Sequence, residues 1–402
     1  MKIAFVTPWY GPEIPGGMEA ETRRTVTRLR RAGYDVEVLT TCIRDFFADW
    51  SKNYHKPGTA VVDGVPVRRF KVQKRDRAAF DAVNRQLMQG KAISAAEERV
   101  YVTEMFRCPD LISYLRARQE DYGVFFFIPY MFPTTFFGAQ ICPRRSIVIP
   151  CLHDEGYARL QIFREVLPQV HTLILHTQAE RELVATLYGP APAQTRIVVG
   201  TGVDTEFTAD AGRFRRRYGL HEPFMVYVGR RDAGKNTPLL LSYWQRYAQE
   251  TRTPAKLALI GPGQLRLPPA LQGQVVDLGF VSPQDKYDAM AAATALCQPS
   301  INESFSLVIM EAWLTETAVL VHGGCGPTRE HVQRCHGGLY FENYDEFAAT
   351  THYLFSNPAV TRQMGANGRG YVLRNYTWDK IVEAYAGVME RVARSEGRGM
   401  DE

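Results

Sequence analysis

Four features are missing from this chain. Its seven cysteines contain no Cys-x-x-Cys, no apolar run reaches membrane-spanning length, there is no Asp-x-Asp, and no short-period repeat or low-complexity tract occurs. An odd cysteine count without paired spacing speaks against a disulfide framework or structural zinc, and for a reduced, cytoplasmic protein. A membrane helix needs about 20 apolar residues, whereas the greasiest segment, Val124 to Phe137, is cut by Pro129 and Pro133. The opening apolar run ends at Pro8 and Pro12, too soon for a secretory leader. Charge of neither sign dominates. A net +5 is a mild excess, too weak to point to a nucleic-acid partner, and none is expected; it is compatible with anionic substrates or an anionic membrane surface.

What is present fits two ordinary globular domains: 402 residues, 45% hydrophobic and 23% charged. Lys2–Val6 has the pattern of a buried strand, Glu19–Ala32 that of a helix ended by Gly33, and Val36–Thr40 that of the next strand. This order implies a parallel sheet with a right-handed crossover. Asp63-Gly64 is a hairpin signal. Strands are expected at Val124–Ile128, Ser146–Ile149, Thr172–Leu175 and Arg196–Val199. A second series follows at Phe224–Val228, Lys256–Ile260, Val275–Leu278, Ala295–Cys297, Ala318–Val321 and Leu339–Phe341. Gly200 to Pro223, poor in apolar runs, is expected to be the linker. The fold class is therefore α/β, with two doubly wound units. Ligands of such sheets bind beyond the carboxyl ends of strands, so site residues are sought there.

Four clusters stand at such ends. Pro299-Ser300-Ile301-Asn302-Glu303-Ser304-Phe305-Ser306-Leu307 leads from a strand into a helix expected to start near Phe305, and Glu311 follows. On one helix Glu303 and Glu311 would lie about 80° and about 12 Å apart. Amides of Ser304 to Leu307 would then form an anion-binding helix start. A capping Glu303 and a solvated Glu311 would give the same pattern. Gly229-Arg230 with Lys235 follows another strand, and arginine and lysine are natural phosphate ligands; a solvated basic loop is the alternative. Gly16-Gly17 opens the first helix, where glycines let backbone approach a ligand. His153 follows Ser146–Ile149 with Asp154 and Glu155 beside it. A plain turn and a structural histidine remain the alternatives for these two.

In this order, across nearly the whole chain, the clusters resemble glycosyltransferase family four, the retaining enzymes of GT-B architecture. The resemblance implies two facing Rossmann-like domains with a cleft between them: residues 1–207, then residues 220–375, with a terminal helix of about 378–402 crossing back onto the first. It implies that Arg230 and Lys235 bind the diphosphate, Glu311 the ribose and Glu303 the transferred sugar. Ser304, Phe305, Ser306 and Leu307 would help hold phosphate through amides. Gly16 and Gly17 would line donor and acceptor, and His153 would lie beside the donor sugar. Gly261-Pro262-Gly263 and Gly279-Phe280-Val281 match loops lining the nucleobase pocket, giving Gly261, Gly279 and Val281 as donor contacts. Departures from the family pattern are Ser306 for Gly, Thr201 for Asn, Thr317 for Gly, and one residue fewer between Arg230 and Lys235.

The implied reaction is retaining, metal-independent hexosyl transfer from a UDP-, GDP- or other nucleotide sugar, with no cofactor. Its acceptor is a glycan, as in polysaccharide biosynthesis, a glycolipid or a small molecule. His153, Glu303, Arg230 and Lys235 are the expected catalytic set. A GT-B epimerase or hydrolase is the alternative; a nucleotide-sugar sensor would keep fewer of the four clusters. A dehydrogenase needs Gly-x-Gly-x-x-Gly, and Gly261 to Arg266 lacks the third glycine. Arg24, Arg28 and Arg31 share a helix face. With the aromatic segment Tyr130 to Pro133, that face raises the option of a lipid-linked acceptor and membrane association; a solvated face and a core segment are the alternatives.

Overall fold

Apolar runs without polar alternation become strands buried on both faces, as parallel sheets covered by helices require. The computed structural model describes residues 1–14, 16–263 and 267–397. The chain divides into two units: residues 1–202 with the segment from 378 onward, and residues 203–377.

The first unit holds β1 (Lys2–Val6), β2 (Asp35–Thr41), β3 (Gly58–Val62), β4 (Val65–Phe70), β5 (Val124–Phe127), β6 (Ser146–Val148), β7 (Thr172–Leu175) and β8 (Thr195–Val198). They form one sheet in the order β3-β4-β2-β1-β5-β6-β7-β8. Only the β3–β4 pair is antiparallel among the described strands. Its turn places Asp63 (φ 50°) and Gly64 (φ 78°) in the left-handed region, the two-residue hairpin that Asp-Gly favours. The first helix, Gly17–Arg31, ends as Gly33 takes φ 93° and Tyr34 N donates to Leu29 O. Three helices, Arg77–Met88, Ala95–Glu104 and Pro109–Arg118, lie between β4 and β5. The terminal helix Trp378–Gly397 packs on this sheet, with Tyr385 stacked on Phe126 at 5.6 Å. Residues 398–402 of the expected helix lie outside the described residues.

The second unit is fully parallel among its described strands: β9 (Phe224–Val228), β10 (Lys256–Ile260), β11 (Val275–Gly279), β12 (Ala295–Gln298), β13 (Ala318–His322) and β14 (Gly338–Phe341). Their order is β11-β10-β9-β12-β13-β14. The expected linker is corrected here: Gly200–Pro223 contains a helix, Ala211–Tyr218. That helix is held by Arg213 Nη2 donating to Asp288 Oδ1 at 2.7 Å. A run such as Arg213 to Tyr218, with Phe214 its one buried residue, carries almost no apolar period to read.

Both sheets reverse their winding at a definite place: between β1 and β5 in the first, between β9 and β12 in the second. Loops leaving the carboxyl ends of strands at such a switch point form the usual ligand crevice. In the second unit these are the loops after Val228 and Gln298; in the first, those after Val6 and Phe127, with the loop after β6 next in order. Four of the sequence clusters occupy these positions.

Candidate active site

In the second unit, the ends of β9, β10 and β11 are stitched through glycines. Gly229 N donates to Ile260 O at 3.0 Å, and Gly261 N donates to Gly279 O at 2.8 Å. Arg231 continues the stitching: its amide reaches Pro262 O at 2.9 Å and its guanidinium pairs with Asp277. Arg231 was not singled out from the sequence. Its side chain is nearly buried and acts as a strut, leaving Arg230 as the accessible guanidinium, beside Asp232 at 3.4 Å. The Asp232 carboxylate accepts from Lys235 N at 2.9 Å and shapes the short turn that presents Lys235.

Lys235 and Glu303 come together across the switch point, Nζ to Oε1 at 2.6 Å. Asn236 ties the same two loops, its side-chain amide donating to Pro299 O at 3.0 Å. The helix after Glu303 runs Leu307–Leu314, so the expected start near Phe305 is corrected by two residues. The cause is Ser306, which adopts φ 71°, ψ 78° as the residue before the helix. Glu303 therefore precedes the helix, and the single-helix estimate of its separation from Glu311 does not apply. Phe305 is buried edge-on against His331 and Tyr376, at 4.9 and 5.0 Å, and anchors the loop to the core. Ser306 is buried, and its Oγ has no hydrogen-bond partner among the described residues. A buried, unpaired hydroxyl is costly. Ser304 precedes this anchor and Leu307 opens the helix, whose first amides lack partners within it.

Glu311 is served by a different lysine. Lys286 Nζ lies 2.7 Å from its Oε2, and the Tyr287 hydroxyl donates to Oε1 at 3.4 Å. Each of the two glutamates thus has its own cation: Lys235 from the turn after β9, and Lys286 from the helix Pro283–Ala292. Gly279 (φ 63°) and the half-buried Val281 flank Phe280, which is 83% exposed. Residues 264–266, after Gly263, lie outside the described residues.

In the first unit, Gly16 precedes the first helix with φ 136°, and a Cβ there would meet Glu19 Oε2 at 1.9 Å. Glu19 accepts from Trp9 Nε1 at 2.8 Å, which binds the loop after β1 to the helix start. Gly17 is open, with nothing within 4 Å of a Cβ position. His153 stands with its Nδ1 3.8 Å from Glu155 Oε1. Asp154 turns away to pair with Arg159. The aromatic segment is core: Tyr130 and Phe132 are buried, which removes them as membrane contacts. Of the three arginines on the helix face, Arg28 lies over the Trp378 ring at 5.6 Å.

Burial pushes the Glu155 carboxyl up to about 7, opposed by a hydrogen bond from the Tyr130 hydroxyl at 3.3 Å. A carboxyl whose folded pKa is raised contributes stability that is full below its unfolded value and lost as pH rises through about 7. Glu155→Gln is therefore expected to stabilise the protein at pH 8 by about 2 kcal/mol, and to change little at pH 5. Thermal melts at both pH values check this; a loss at pH 8 would mean that the ionised carboxylate is held by its neighbours.

Residues 211–371 match the family model of glycosyl transferases group 1. An uncharacterized glycosyltransferase of Methanocaldococcus jannaschii is 22% identical, over 99% of this chain and 100% of the relative. The matched domain and this relative support a glycosyltransferase of the GT-B, family-four type. A D-inositol 3-phosphate glycosyltransferase of Kribbella flavida is 30% identical to this transferase, over 60% of the chain and 62% of the relative. The solved structure of Anabaena HepE in complex with UDP matches the transferase with TM-score 0.71 at 17% identity, covering 97% of this chain and all of HepE (100%). At that identity the likeness establishes the shared fold. Among the described residues no helix is long and apolar enough to cross a membrane.

Proposed function

We propose that this glycosyltransferase moves a hexose, with retention of configuration, from a nucleotide diphosphate sugar to a sugar-containing acceptor, using its own cations in place of a metal. The observation that carries the reading is the Lys235–Glu303 pair at the β9/β12 switch point, beside the buried Ser306 hydroxyl and the start of the helix Leu307–Leu314. A departing nucleotide diphosphate gains negative charge. Lys235, Arg230 and the helix amides offer it fixed donors, and stabilising a developing anion with donors already in place is the largest single contribution to many enzymatic rates. Glu303, set by Lys235, is the group for the hydroxyls of the transferred sugar, and Glu311, set by Lys286, the group for the ribose. Gly261, Gly279 and Val281 form the base side. Gly16, Gly17 and His153 serve the sugar and acceptor side.

HepE is solved in complex with UDP and with UDP-glucose, and several relatives are D-inositol 3-phosphate glycosyltransferases. These compounds head the panel. A donor that binds the native state stabilises it by an amount that grows with the logarithm of its excess, about 2.7 kcal/mol at a hundredfold excess over Kd, and so raises Tm. One nucleotide sugar is expected to stand out in a thermal-shift screen, and transfer of its sugar is expected to survive EDTA with the anomeric configuration kept. Loss in EDTA with rescue by magnesium or manganese would remove the metal-independent part. Donor consumption without an acceptor would point to a hydrolase or epimerase.

A further inference from the structure

His176 follows β7 in the first unit and takes no part in the reaction outlined above. It is buried, and it joins three segments. Its Nε2 bonds to Glu21 Oε1 at 2.6 Å, on the helix that Gly16 and Gly17 open. Its backbone amide donates to Glu180 Oε2 at 2.6 Å, and its Nδ1 lies 3.6 Å from the same oxygen. The other oxygen of Glu180 accepts from Leu152 N at 2.6 Å, the residue before His153. Cys151, held at φ 52°, closes the group: a polar side-chain atom from each of Glu21, Cys151 and His176 lies within 4.8 Å of the other two. Glu180 takes two amides in the first turn of the helix Gln178–Tyr188, but burial outweighs them and His176 and holds its carboxyl above the usual carboxylate range. Glu21 is the carboxylate bonded directly to the imidazole ring.

We propose that His176 is a positioning residue: as a cation it fastens the helix bearing Gly16 and Gly17 to the loop bearing His153, and so fixes the geometry of sugar transfer. The inference rests on the roles given to those residues under the proposed function. Among the described residues, the titratable groups around His176 include Glu21, Glu180 and Cys151, with Glu19 and Tyr385 behind them. Among these, burial opposes the charge on His176, but Glu21 and Glu180 outweigh it and raise its pKa to about 9. A raised histidine pKa means the fastening is full below the unfolded value and lost as pH rises through about 9.

Steady-state kinetics with the donor found in the screen test this. His176→Gln is expected to lower kcat about tenfold to a hundredfold, as a displaced catalytic geometry does, with donor KM within about twofold. In the wild type kcat should decline above about pH 9, and in the variant that decline should be absent. An unchanged kcat, or the same alkaline limb in both proteins, overturns the proposal. His153→Ala separates the two readings: if it is inactive while His176→Gln is normal, the fastening fails and the site stands; if it is fully active, the site itself is misassigned. Should His176→Gln not fold, the wild type still decides by NMR, where one of the nine histidines is expected to stay protonated to about pH 9. No such histidine, or one equivalent of tightly held zinc, which would require a neutral imidazole, overturns it.

Discussion

Lys235→Met is expected to reduce kcat/KM for the donor about a hundredfold to a thousandfold. Two losses combine. The diphosphate loses a charge-assisted contact, typically about 1.5–3 kcal/mol. Glu303, now without the ammonium that stood 2.6 Å away, remains as an anion close to where another anion must bind. The pair is mostly screened from water, with side-chain exposures of 25% and 11%. Removing one partner should therefore also lower stability by about 1–3 kcal/mol. Lys235→Met combined with Glu303→Gln should recover most of that stability and little of the activity, since the hydroxyl-binding carboxylate is then gone as well. Melting curves and donor kinetics on the two single variants and the double variant check the cycle. Additive stability losses would show that the ion pair does not couple the two loops, and normal turnover in Lys235→Met would remove the lysine from the donor site.

The sequence disclosed this arrangement unevenly. Runs such as Phe224–Val228 and Lys256–Ile260 have one interpretation, because a short apolar segment between glycines and charges fits a strand buried on both faces, and both match the structure. Asp63-Gly64 forms its hairpin because few other residues tolerate two successive positive φ values. The site was legible in part for the same local reason: Arg230, Lys235 and Glu303 each follow a strand end, and strand ends at a switch point converge. The partnership between Lys235 and Glu303 was not legible, since it joins residues on separate strands. His176 and Glu21 are further apart still, separated by 155 positions in sequence. The late start of the helix Leu307–Leu314 depends on the backbone of one serine, in a conformation that serine rarely adopts.

Gly261→Ala should be the most damaging single methyl group in the candidate site. A Cβ at this position would lie 2.0 Å from the carbonyl oxygen of Gly229 and 2.8 Å from its carbon. Both contacts are backbone, so no flexible side chain can give way. The residue also has φ +129°, a conformation that costs any L-residue about 1–3 kcal/mol. Adding the displacement of a packed strand end, about 1–3 kcal/mol, gives a loss of about 2–6 kcal/mol. For a unit of this size that corresponds to a Tm lower by about 10 °C. The shift would act where Gly229 leads into Arg230 and where Gly261 N meets Gly279 O, so donor affinity should fall at least about tenfold even below the new Tm. Gly387→Ala is the control: a helical position with nothing within 4 Å of the added carbon. It should stabilise slightly and leave donor affinity unchanged. Differential scanning calorimetry with donor titration reads both quantities. If Gly261→Ala melts like the wild type, the close crossing of the Gly229 and Gly261 backbones is not part of the native fold, and the base side of the site must be redrawn.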